Sequence, residues 1–265
     1  MISRRSRGLS IGINLSPDTA CNFKCVYCQV DRAITPRTRK VDVEVVRKEL
    51  AQMLAVARDG SLFDDPSFAD VPGELRRIND IAFSGDGDPT TCPKFGACVR
   101  IVAELKKEAQ LAETKIVLIT NACHLTKPDI AAALAVMDKN NGEIWAKLDA
   151  GTEECYQRVN RPNRSLQHVI DSIIATARIR PLVIQTLFMQ LDGAGPDPQE
   201  LGAYVERLGE ITRSGGQIDR VQIYTVARRP AEDFVTPLGD GEVDRIADFV
   251  RQRTGLHVEE FHGMA

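Results

Sequence analysis

The sequence predicts an α/β fold built on parallel strands, and three observations carry that prediction. Six short runs rich in Val, Ile and Leu alternate with six longer segments of helical periodicity. The short runs are nearly continuous in apolar residues, the pattern of strands covered on both faces. Polar and proline start signals open several of the helical segments. Strand–helix pairs in series imply a parallel sheet joined by right-handed crossovers. Such a series closes partly into a barrel or lies flat as a doubly wound sheet, and periodicity is compatible with both.

The first strand is expected at residues 11–15 and its helix at 43–58. The second strand falls at 80–83 with a helix at 93–110, and the third at 115–120 with a helix at 127–138. There Thr126, Lys127, Pro128 and Asp129 supply a polar cap and an early proline. The fourth strand, 143–148, precedes a helix at 164–178. The fifth, 182–189, precedes a helix at 198–209, whose start at Asp197, Pro198, Gln199 and Glu200 follows the same logic. The sixth, 220–224, precedes a helix at 241–253. The least regular stretch, 60–73, contains Asp64-Asp65-Pro66 and Pro72-Gly73 and reads as a surface insertion within a single domain spanning 1–265.

A chain of 265 residues fits two average domains, yet α/β barrels of about 200–250 residues fold as one unit. Hydrophobic residues at 43% and charged residues at 27% exclude a disordered chain. A net charge of -3 gives no global attraction to nucleic acid. The local basic groups Arg4, Arg5, Arg7 and Arg32, Arg37, Arg39, Lys40 read as solvated loops. No apolar run approaches the roughly 18–20 residues that span a bilayer, and the N-terminus lacks the apolar segment of a secretory signal. The expectation is a cytoplasmic protein with no membrane partner.

Seven cysteines, an odd number, argue for reduced thiols. Cys21, Cys25 and Cys28 crowd into a C-x3-C-x2-C segment after the first strand, while Cys92, Cys98, Cys123 and Cys155 are scattered. The carboxyl ends of parallel strands are where α/β folds place their active sites. Three thiolates at this spacing can ligate three irons of a cubane, whereas an all-cysteine cluster needs four, so one iron would stay open. Read as a helix, the three cysteines would share one face, but Pro17, Asp18 and Asn22 make that helix poor. A zinc site would want a nearby fourth ligand, and the next histidine is His124. A Cys25/Cys28 redox dithiol leaves Cys21 without a role.

With Tyr27 just before the last cysteine, this segment resembles the mark of the radical S-adenosylmethionine superfamily. The resemblance implies a partial (β/α)6 TIM-type barrel with parallel strands. It further implies a [4Fe–4S] cluster on Cys21, Cys25 and Cys28, and S-adenosyl-L-methionine chelating the open iron. One-electron reduction would give a 5′-deoxyadenosyl radical that abstracts hydrogen from a substrate.

Other segments fit this reading. Gly85, Asp86, Gly87 and Asp88 follow the second strand, at the place of the family's Gly-Gly-Glu-type element that meets the cofactor's amino group. The contact falls to Asp86 or Asp88, and a plain glycine-rich turn is the alternative. Asn121, in Thr120-Asn121-Ala122, is similar to the family's Thr-Asn-Gly and would bond the ribose or methionine portion, or else cap a turn. Cys123 and His124 read as a buried thiol and a surface imidazole. On the fourth strand, Lys147 and Asp149 share one face as an ion pair or as catalytic groups. Asn160-Arg161-Pro162 follows, and Gln185, Gln222 and Tyr224 either line the cavity or satisfy neighbouring groups. His257 and His262 read as bystanders, and a second cluster on the scattered cysteines is not expected.

The sixth strand and its continuation to Arg228-Arg229-Pro230, with residues 21–32, resemble stand-alone proteins near the wyosine-tRNA synthases. The flavodoxin-like domain of some of these enzymes is not expected here, and with no cysteine before Cys21 the second N-terminal cluster of others has no ligands there. An external electron donor such as a flavodoxin or ferredoxin is then implied. The target is a small molecule first, tRNA second and a partner protein activated as a glycyl radical third. The contrasting class is a zinc or dithiol binding module without radical activity.

Overall fold

The computed structural model describes residues 1–3, 5–33, 35–36, 38–230 and 232–263. Arg4 and Arg37 of the two basic groups lie outside them. The chain divides into two compact units. The first comprises Met1–Ala20, Pro36–Ile119 and Lys127–Ile144, the second Cys21–Thr35, Thr120–Thr126 and Trp145–Ala265.

In the first unit, β1 (Ile2–Ser3) pairs antiparallel with β2 (Gly8–Ile13), and β2, β3 (Ile78–Phe83) and β4 (Lys115–Thr120) run parallel in that order. Ile11 faces Ile81, which faces Ile116, and all three are buried. The helices are α1 (Val43–Asp59), α2 (Phe95–Glu108) and α3 (Pro128–Asp138). Asp42 caps α1 by accepting from Glu44 N, and Gly60 at φ 86° ends it in the left-handed region that favours glycine. Phe83 meets Phe95 edge-on at 5.3 Å, locking α2 to β3. The stretch 60–73 is mostly exposed; it holds one short 3-10 turn, Ser61–Asp64, and a second, Gly73–Leu75, begins at its last residue.

β5 (Gly142–Lys147) begins in the first unit and ends in the second. In the second, β5, β6 (Leu182–Leu187), β8 (Ile218–Tyr224) and β10 (Val258–Phe261) are parallel neighbours in that order. A separate antiparallel pair joins β7 (Gln190–Leu191) to β9 (Val235–Thr236). The helices are α4 (Glu153–Asn160), α5 (Leu166–Ala177), α6 (Pro198–Arg213) and α7 (Asp240–Thr254). Gly151 is required by close approach, since a Cβ there would lie 2.0 Å from Tyr204 N on α6. Thr152 N and Oγ1 donate to Glu200 Oε2 at 3.2 and 2.6 Å, tying the start of α4 to α6.

The six expected strands and six expected helices are all present, with shifted ends. The fifth strand stops at Leu187, not at 189. Asp197 caps α6 as expected, accepting from Glu200 N at 2.8 Å. At α3 the proline is at the first turn, but the cap position is Lys127 and makes no side-chain bond. Helix α4 and strands β1 and β10 lie beyond the expectation. They are short and rich in polar residues, so periodicity does not reveal them. No helix among the described residues is long and apolar enough to cross a membrane.

Candidate active site

The segment from Cys21 to Cys28 is an irregular loop, so the helical alternative for its cysteines is not realised. Three backbone contacts with the end of α4 hold it. Lys24 N donates to Asn160 O at 3.1 Å, Val26 N to Val159 O at 2.9 Å, and Phe23 bridges Pro162. Val26 is buried with Val159, Leu187, Met189, Val226 and Val235. Burying one apolar side chain and satisfying two amides leaves the cysteines on a pinned loop.

Cys21, Cys25 and Cys28 are free thiols and half-buried. Among the described residues, no three His, Cys, Asp or Glu side chains are gathered closely enough to hold a metal ion. Burial, then the Asp149 carboxylate, pushes the Cys25 thiol up to about 11. Asn160 Nδ2 lies 3.5 Å from its sulfur, and an Arg32 nitrogen lies 3.8 Å from Cys28 Sγ.

Asp149 is the hub beside this loop and is 4% exposed. Its Oδ2 accepts from Tyr27 Oη at 2.5 Å and Asn160 Nδ2 at 2.9 Å. Its Oδ1 accepts from Leu187 N at 2.9 Å and pairs with Lys147 Nζ at 3.2 Å. Lys147 also donates to Tyr224 Oη at 2.8 Å, and its ammonium lies 5.1 Å from the Tyr27 ring centre. Burial disfavours the Lys147 ammonium, but Asp149 and Tyr224 outweigh it and hold the pKa above its usual range. Burial first, and then Asp149, raises the Tyr27 phenol. Lys147 and Asp149 thus form a buried ion pair.

Gln185 and Gln222 are buried, and Gln185 Nε2 donates to Gln222 Oε1 at 3.2 Å while its Oε1 accepts from Tyr224 Oη at 3.4 Å. These bonds join side chains to one another. A cavity of about 370 Å³ opens beside Asp149, lined also by Thr152, Cys155, Arg158 and Met189. Asn121 is buried; its Oδ1 accepts from Cys123 N at 3.2 Å, a turn-capping bond, and its Nδ2 donates to Asn22 Oδ1 at 2.7 Å. Cys123 is buried and His124 half-buried. His262 pairs with Asp244 at 2.6 Å.

In the first unit, the turn after β3 needs its glycines. Gly85 has φ 155°, and a Cβ at Gly87 would lie 2.1 Å from Ala20 O. The two carboxylates differ. Asp88 is buried and its Oδ1 accepts from Thr90 N at 2.9 Å and from the Thr90 hydroxyl. Asp86 is half-exposed and accepts from Asn14 Nδ2 at 2.7 Å.

Sequence reasoning missed Asn14, Asn22 and Asn160 as side-chain partners of these groups. Asn22 lies inside the cysteine segment and Asn160 opens the Asn160-Arg161-Pro162 element, but nothing in the local sequence names their partners. The donor set fits an iron–sulfur cluster by its chemistry: three thiols outside any disulfide on one loop, with an amide donor at one sulfur.

The sequence profile of the Radical SAM superfamily matches residues 15–190. Among curated proteins, the chain is 21% identical to the GTPase Obg of Brachyspira hyodysenteriae over 98% of its own length and 34% of that protein's. It is 26% identical to a UPF0026 protein of Synechocystis over 90% of its own length and 82% of that protein's. Among solved structures, Streptococcus suis SuiB bound to S-adenosylmethionine has a TM-score of 0.63 at 13% identity, covering 96% of this chain and 51% of SuiB. TYW1 with a lysine-pyruvate adduct bound has a TM-score of 0.55 at 15% identity, covering 93% of this chain and 74% of TYW1. The chain thus spans about a third of the first relative and about half of SuiB. The structural likenesses show the expected fold class, α/β with mostly parallel strands of the partial (β/α)6 type.

Proposed function

Because the chain belongs to the radical S-adenosylmethionine superfamily, enzymes that use a [4Fe–4S] cluster and S-adenosylmethionine, we propose that Cys21, Cys25 and Cys28 hold that cluster. The observation that carries this reading is the pinned loop presenting three free thiols beside the Asp149 hub. When bound, the cluster and S-adenosylmethionine supply reductive cleavage of the sulfonium and a 5′-deoxyadenosyl radical that abstracts hydrogen from substrate.

The protein's own residues bind and orient. The backbone clamp at Lys24 and Val26 fixes the loop against α4. Asp149 orients Tyr27 and Asn160 and balances the charge of Lys147. The glycine–aspartate turn after β3 serves the cofactor's ammonium group through Asp86, with Asp88 shaping the turn. Asn121 and Gln185 serve the cofactor, and Lys147, Asp149 and Tyr224 the reaction. The substrate is a small molecule, a reading supported by the cavity of about 370 Å³ beside Asp149, within the size range of small-ligand pockets. A flavodoxin or ferredoxin delivers the electron.

Anaerobic reconstitution with iron and sulfide tests the reading. The expected result is roughly four irons per chain, a reduced-cluster signal perturbed by S-adenosylmethionine, and loss of iron in Cys21→Ala, Cys25→Ala and Cys28→Ala. A colourless protein that takes up one zinc overturns it. For the target, co-purified RNA released by salt would replace the small molecule with tRNA.

A further inference from the structure

We propose that Asn160 is a positioning residue whose side-chain amide donates to the Cys25 sulfur and raises the reduction potential of a cluster held there. The inference rests on the reading of Cys25 as a cluster ligand. Asn160 ends α4 and is 2% exposed. Its Nδ2 lies 3.5 Å from Cys25 Sγ and 2.9 Å from Asp149 Oδ2, and an asparagine amide carries two N–H groups, so each has an acceptor.

Asp149 dictates that orientation. An ionised carboxylate only accepts, and Oδ2 already faces Tyr27 Oη while Oδ1 faces Leu187 N and Lys147 Nζ. Turning the amide would set the Asn160 oxygen against the Asp149 oxygen and the Cys25 sulfur. The amide instead leaves Oδ1 buried without a partner. A buried amide with an orphaned oxygen and both N–H groups engaged is a position built around donation. The backbone serves the same end, since Asn160 O accepts from Lys24 N one residue before Cys25.

The electron that enters a cluster from an external donor adds negative charge. A hydrogen bond to a ligating sulfur stabilises that charge, so the reduced state gains relative to the oxidised one.

The test uses reconstituted full-length chains: wild type, Asn160→Ala, Asp149→Asn and the double variant. Each is titrated with dithionite while the cluster's paramagnetic signal is recorded, and iron and sulfide are measured. Asn160→Ala is expected to keep the wild-type iron content, with its midpoint shifted to lower potential. In Asp149→Asn, Leu187 N and Lys147 keep an oxygen at the Oδ1 position, so the new nitrogen faces Asn160 and turns its amide. Removing the Asp149 charge raises the midpoint on its own, so loss of the amide bond in that variant is read from the iron–thiolate band and from the double variant, whose midpoint is expected to match that of Asp149→Asn.

The iron–thiolate stretching band is expected to move on transfer of wild type to D2O and to lose that sensitivity in both single variants. If Asn160→Ala does not load a cluster, Asp149→Asn and the wild-type D2O measurement decide. An unchanged band in loaded variants, with an unchanged midpoint where Asn160→Ala loads, overturns the proposal while leaving the ligand reading intact. A wild-type chain that binds no cluster overturns the ligand reading and this proposal with it.

Discussion

The Tyr27 hydroxyl donates to Asp149 Oδ2 at 2.5 Å, joining the cysteine loop to the end of β5 across 122 residues of sequence. Removing the donor in Tyr27→Phe leaves that oxygen to the Asn160 amide and is expected to destabilise the protein by about 1–3 kcal/mol. Urea unfolding compared at constant m-value measures the effect. A variant as stable as wild type would show that the contact carries no net stabilisation.

Asp80 supplies a pH signature. The residue is buried, and burial raises its pKa more than the Ser10 hydrogen bond lowers it; Glu143 adds to the rise and Lys115 opposes it. A raised folded-state pKa means stability that is fully present below the unfolded value of 3.8 and is lost as pH rises through the folded value. Asp80→Asn keeps a neutral acceptor for Ser10 and is expected to be more stable than wild type at pH 7, with the gap closing toward pH 3–4. Denaturant midpoints of both chains across that range check it, and a gap that widens on acidification contradicts the assignment.

Gly151→Ala places a methyl group 2.0 Å from Tyr204 N, against backbone and not a movable side chain. The expected loss is about 1–3 kcal/mol, the magnitude of overpacking a core. Gly12→Ala, where a Cβ would meet nothing within 4 Å, is the control. Thermal unfolding of the two variants should separate them clearly.

The two aspartates after β3 should separate by readout. Asp88→Ala removes the acceptor for Thr90 N and is expected to lower stability by about 1 kcal/mol, as loss of a cap does. Asp86→Ala should leave stability within about 0.5 kcal/mol and weaken S-adenosylmethionine binding severalfold. Equilibrium dialysis of the reconstituted chains measures the binding, and the opposite pattern would exchange the two roles.

Local regularities made much of this protein legible. The alternation of apolar runs with helical periods marks six strands and six helices, because each element is set by neighbours a few residues away. Helix α4 escaped notice because its eight residues include Glu153, Glu154, Gln157, Arg158 and Asn160, leaving no apolar face long enough to register. Yet α4 is the platform for the cysteine loop. Arg161 closes it at φ 42°, a left-handed conformation that a non-glycine residue seldom shows and a local pattern does not announce.

The sequence by itself determined the family, the order of the main elements and three cysteines at a spacing suited to an iron–sulfur cluster, all properties of contiguous residues. Tertiary structure alone decided that Lys147 and Asp149 form an ion pair, that Asp149 gathers Tyr27, Asn160 and Leu187, and that Asn160 aims an amide at Cys25. Those contacts join residues up to 135 positions apart. The physical reason is that a hydrogen bond depends on where folding brings two groups together, and the hub exists only once β5, β6, α4 and the cysteine loop have packed around one carboxylate.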